Sequence, residues 1–62
     1  MSEYGKIMVE YKTVFGDRHS YEIQCFSRAK WLKAFGEEHE RMRAQQRDGD
    51  VDTFIVNAVK TR

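Results

Sequence analysis

From Lys6 to Val14 the apolar side chains Ile7, Val9 and Tyr11 alternate with Lys6, Met8, Glu10 and Lys12, the period of two that a half-buried β-strand requires. The second face of this strand is mixed, because Met8 and Val14 share it with charged residues. Phe15-Gly16-Asp17-Arg18 follows, placing a glycine beside an aspartate, two residue types that accept turn dihedrals. Alternation then resumes: Tyr21, Ile23 and Cys25 point one way, and Ser20, Glu22 and Gln24 the other. The two segments predict a β-hairpin with one face toward a core.

The period changes after Phe26. Ser27 is placed to cap a helix that starts near Arg28, with Phe26 and Trp31 spaced for a hydrophobic staple across the cap. Trp31, Leu32, Phe35, His39 and Met42 recur at helical spacing, while Lys30, Lys33, Glu37, Glu40 and Arg41 occupy the other side. Glu37 with Arg41, and Lys33 with Glu37, are i,i+4 pairs worth about 0.2–0.5 kcal/mol each. Gly36 costs this helix about 1 kcal/mol relative to alanine, and close packing or a bend would account for it. Gly49 in Arg47-Asp48-Gly49-Asp50 supplies a left-handed stop. Val51 to Lys60 is rich in β-formers and carries apolar groups on both parities, Phe54, Val56 and Ala58 against Val51, Ile55 and Val59. The pattern leaves open which set meets the helix.

The simplest closure sets the third strand beside the first. The expected fold is α+β, a two-layer ββαβ domain spanning residues 1–62, with a three-stranded antiparallel sheet of order 2-1-3 and one helix packed on one face. Its expected core is Ile7, Val9, Tyr11, Ile23, Cys25, Leu32, Phe35, Met42 and one parity of the last strand.

Length changes this picture by raising the question of what stabilises so small a domain. A 62-residue chain hides only about 60 % of the surface that its unfolded form exposes, and small domains commonly add a disulfide, a metal or a second subunit. Cys25 is the only cysteine, which excludes an internal disulfide, and two histidines with one thiol fall short of a zinc ligand set. Oligomerisation or partner binding is left. A lone cysteine fits a reducing compartment. The opening Met1-Ser2-Glu3-Tyr4-Gly5-Lys6 lacks the apolar stretch of a signal peptide, and no apolar run approaches the roughly 20 residues of a membrane span. A soluble, cytoplasmic protein that does not engage membranes is expected.

Candidate chemistry adds little. Cys25 lies on the inward parity of its strand, with no third group to orient His19 or His39 as a base, so a buried structural thiol is the reading. Asp48-Gly49-Asp50-Val51-Asp52 spaces three carboxylates at alternate positions, but Val59 stands where a calcium loop needs its closing glutamate. No catalytic residue, metal or cofactor is expected, and the chain reads as a non-enzyme.

The surface carries the functional reading. One helix covers one sheet face, so the other exposes Met8, Val14 and either Ile55 with Val59 or Phe54 with Val56, and the order 2-1-3 leaves strands 2 and 3 as edges. The expectation is a protein-binding module that docks through the uncovered face or an edge strand, with Met8, Val14, Trp31 and Ile55 as contacts. Its partner would be another protein or a second copy in a homodimer. Lys60 and Arg62 are placed to guard the edge. In size and charge the chain is similar to small phage-encoded proteins that bind and inhibit host or defence enzymes, a likeness that no residue motif carries. An inhibitory or regulatory role is therefore one version of protein binding. The alternative is a nucleic-acid binder in which Arg28, Lys30, Lys33, Arg41 and Arg43 contact phosphate. Eleven basic against ten acidic residues leave a net charge of only +1 to support it.

Overall fold

A computed structural model describes residues 2–61. The chain runs β1 (Gly5–Thr13), β2 (Arg18–Cys25), α1 (Arg28–Arg47) and β3 (Val51–Lys60). The strands form one antiparallel sheet of order β2-β1-β3, and the helix packs on one face. This is the α+β ββαβ arrangement that the hydrophobic pattern predicts. The molecule is a slab, with principal extents of 39 × 17 × 13 Å.

The register resolves the ambiguity of the last strand. Ile7 pairs with Ile23 and Ala58, Val9 with Tyr21 and Val56, and Tyr11 with His19 and Phe54. Because side chains alternate across a strand, these rows all face the helix, and Ile7 and Val9 are fully enclosed there. Ile55 and Val59 are on the other side. The core is Ile7, Val9, Cys25 and Met42, with Tyr11, Tyr21, Ile23, Trp31, Ala34, Phe35, Phe54 and Val56 packed around it. Val51, at the foot of β3, is also buried.

Each end of the helix has a local cause. The Ser27 hydroxyl accepts from the Lys30 amide (3.2 Å) and so satisfies one of the unpartnered donors of the first turn. At the other end the Gly49 N–H donates to the Gln46 carbonyl (3.2 Å) and the Asp50 N–H to the Gln45 carbonyl (2.9 Å). This pair of bonds is a Schellman motif, and it requires the left-handed φ of +87° that Gly49 adopts. The hairpin closes through the Gly16 N–H on the Thr13 carbonyl (3.0 Å) and the Thr13 N–H on the Asp17 carbonyl (2.8 Å).

Four expectations need correction. Leu32 is half-exposed and outside the core, whereas Glu38 is only 6 % exposed. Trp31, Ala34, Phe35, Glu38 and Met42 make the buried stripe; relative to Trp31, Glu38 is rotated by only about 20° and Leu32 by about 100°. Arg41 lies 3.9 Å from Glu38 instead of pairing with Glu37, which meets Lys33 at 3.9 Å. Gly36 faces open space, so no close approach explains it. Val14 is outside the sheet: the ladder shifts register between Lys12 and Thr13, β1 ends at Thr13, and the Val14 N–H donates to the Asp50 carbonyl (3.2 Å).

Candidate functional site

The face of the sheet turned away from α1 is built from the even positions of β1 and β2 and the odd positions 53–59 of β3, the register shift having turned Val51 to the buried side. Lys6 stands between Gln24 and Val59, Met8 between Glu22 and Asn57, Glu10 between Ser20 and Ile55, and Lys12 between Arg18 and Thr53. Three apolar residues form a triangle, Met8 on β1 and Ile55 and Val59 on β3 to either side of Asn57. Met8 is 40 %, Ile55 54 % and Val59 43 % exposed, and Ile55 and Val59 are each a diagonal neighbour of Met8, about 7–8 Å away on a sheet. Charge surrounds them, with Lys6 bonded to Glu22 at 3.4 Å across β1 and β2. An apolar strip inside a polar rim is the anatomy of a protein interface.

At the hairpin end of this face an open groove of about 440 Å³ is lined by Glu10, Lys12, Arg18, Ser20, Thr53 and Ile55, among others. Lys12 and Arg18 are direct cross-strand neighbours here. A second groove, of about 480 Å³, runs between β2 and the helix past Ile23, Cys25, Phe26, Lys30 and Ala34. It exists because α1 rests on β1 and β3 more than on β2.

Of the four residues expected to contact a partner, the structure brings two together, Met8 and Ile55. Val14 is in the hairpin connection. Trp31 is on the other side of the sheet, where its indole N–H donates to the Lys6 carbonyl (3.1 Å) and its ring meets Tyr4 edge-on at 5.5 Å. Gly5 makes that placement fit: a Cβ there would stand 2.6 Å from the indole nitrogen and 2.7 Å from the Val59 carbonyl oxygen. Val59 belongs to the open strip and was indicated by sequence only through its parity with Ile55. Lys60 stacks over the Tyr4 ring at 5.5 Å, and Arg62 lies outside the described residues.

The five basic residues of the alternative reading do not converge. On a 100°-per-residue wheel Lys30 and Arg41 fall on the β2 flank of α1, Arg28 and Arg43 on the β3 flank, and Lys33 on top. Arg41 and Lys33 also have acidic neighbours, Glu38 and Glu37.

Among the described residues, no three His, Cys, Asp or Glu side chains gather as a metal-ligand set, and no helix is long and apolar enough to cross a membrane. Cys25 is a buried thiol. Tyr21 titrates well above its ordinary range. Its hydroxyl donates to Glu38 Oε1, and its pKa is pushed up to about 12, first by burial and then by the bond to Glu38 and that carboxylate's charge. This pair lies between helix and sheet, away from the open face. No protein-family model matches the chain, and no similar curated protein or solved structure was found.

Proposed function

We propose that this chain is a non-enzymatic protein-binding module that docks through the open face of its sheet, with a regulatory or inhibitory role as the natural use of such a module. The observation that carries this reading is the exposed triangle of Met8, Ile55 and Val59 around Asn57, bordered by Lys6, Glu10 and Glu22. Half-covered sheets in water usually place polar groups on their outer face, and these three side chains have no partner layer in the chain itself. Their burial against another surface would contribute roughly 1 kcal/mol or more per side chain.

The test compares tagged wild type with tagged Met8→Asp as bait, each in extract with and without nuclease treatment. Wild type is expected to retain a protein, either another chain or its untagged self, at least about tenfold better than Met8→Asp, with both baits folded by circular dichroism. Retention that survives Met8→Asp but is lost with nuclease, or with Arg41→Glu plus Arg43→Glu, would replace this reading with nucleic-acid binding.

A further inference from the structure

The open face has a symmetry of its own. In the row of Met8, flanked by Glu22 and Asn57, the neighbouring residues two positions up and two positions down each strand are complementary to one another. On β1 they are Lys6 and Glu10, opposite charges. On β3 they are Val59 and Ile55, both apolar and exposed. On β2 they are Gln24 and Ser20, each able to donate and accept a hydrogen bond. A two-fold axis that runs along this row, perpendicular to the strands and parallel to the sheet, exchanges the two positions on every strand. We infer that the occupant of the open face is a second copy of this chain, related by that axis, so that Lys6 of each copy meets Glu10 of the other and Ile55 of each meets Val59 of the other around a central Met8–Met8 contact. The inference rests on the reading of the open face as the binding surface.

If the strands of the two sheets are to lie nearly aligned, two in-plane axes are available, one along the strands and one across them, and the charges choose between them. An axis parallel to the strands would set Lys6 on Lys6, Glu10 on Glu10 and Lys12 on Lys12, and would lay Ile55 and Val59 over Ser20 and Gln24. Like charges brought together at an interface are strongly unfavourable, and that arrangement leaves the apolar strip facing polar groups. The perpendicular axis turns the Lys6 and Glu10 clashes into opposite-charge pairs, lays Ile55 on Val59, and moves the two Lys12 side chains to opposite ends of the face. Its one like-charge contact is Glu22 on Glu22 at the β2 margin, where each carboxylate is already bonded to its own Lys6 at 3.4 Å. Stacked sheets sit about 10 Å apart, and the exchanged positions lie only about 7 Å from the axis, so the relative twist of the two sheets displaces them by an amount that lysine and glutamate side chains can span. The product is a four-layer assembly with helices outside and two three-stranded sheets inside. Three strands of this length present on the order of 400 Å² per copy, about 800 Å² in total and below the size of stable interfaces, so the dimer is a weak one that dissociates on dilution.

Charge exchange supplies the test. Sedimentation velocity would be run from about 1 μM to about 1 mM on wild type, Met8→Asp, Ile55→Asp, Lys6→Glu and Glu10→Lys, with circular dichroism confirming each fold. Wild type is expected to move from monomer to dimer across this range, and Met8→Asp and Ile55→Asp to remain monomeric. Lys6→Glu alone and Glu10→Lys alone should each dimerise at least about tenfold more weakly than wild type, since each places two like-charge pairs in its own dimer. Mixed one to one, they restore both opposite-charge pairs and should form a heterodimer of at least wild-type affinity. A wild-type dimer that Met8→Asp and Ile55→Asp break, but that the two charge variants form normally, or that their mixture fails to restore, would overturn this axis while keeping the open face as the interface. A wild-type dimer indifferent to Met8→Asp and Ile55→Asp would overturn the face itself. A wild-type monomer at about 1 mM would overturn the second copy as occupant and leave the open face to a different protein. Should Met8→Asp fail to fold, Ile55→Asp, at a more exposed position, decides the same point.

Discussion

Glu38 lies on the sheet-facing side of α1, where its carboxylate accepts from the Tyr21 hydroxyl and sits 3.9 Å from Arg41. Removing the donor strands a buried carboxylate, so Tyr21→Phe should cost about 1–3 kcal/mol at neutral pH, read as a fall in urea midpoint. The pH dependence has a definite sign. Tyr21 has a folded-state pKa of about 12 against an ordinary 10, so its contribution is complete below pH 10 and is lost as pH rises through 12. Wild type should lose stability between those values more steeply than Tyr21→Phe; parallel profiles would show that Tyr21 titrates alike in the folded and unfolded chains. This pairing was illegible in the sequence. A reading that ranks helix positions by hydrophobicity admits Leu32 and rejects Glu38, although geometry centres the stripe near Glu38, and the tyrosine that makes its burial tolerable is on another element 17 residues away.

At the scale of elements, local chemistry was largely written in the chain. Ser27 and Gly49 mark the helix ends because each solves a backbone problem by itself, an unpartnered donor at one end and a left-handed turn at the other. Period-two alternation placed the inward rows of β1 and β2. The parity of β3 could not be read, since apolar residues occupy both sides and only pairing with Ile7, Val9 and Tyr11 distinguishes them. Glycines show the same division between local and tertiary causes. Gly36 is exposed on the helix, and a methyl group added there would meet no neighbouring atom, so Gly36→Ala should stabilise the protein by about 1 kcal/mol. Gly5→Ala should destabilise it by about 1–3 kcal/mol, because the new methyl clashes with both the Trp31 indole and the backbone of β3. Thermal melts of the two variants should therefore move in opposite directions.

For the whole molecule, one helix on three strands leaves a slab with a dry side and a side that keeps Met8, Ile55 and Val59 in water. That an open face would exist followed from counting elements, but its membership did not: Val14 lies past the end of the ladder, and Trp31 belongs to the stripe of α1 that packs on the opposite face. If the face closes on a second copy, stability depends on concentration. The melting temperature of wild type should rise by several degrees over about a hundredfold increase in protein, while that of Met8→Asp stays flat; equal behaviour would separate folding from association at this face. Trp31 makes the two processes optically distinguishable. It is the single tryptophan of the chain, and it is held by Tyr4 and the Lys6 carbonyl on the helix side of the sheet. Its fluorescence should therefore follow the docking of helix on sheet and stay silent when the opposite face is covered, giving a built-in folding signal that needs no label.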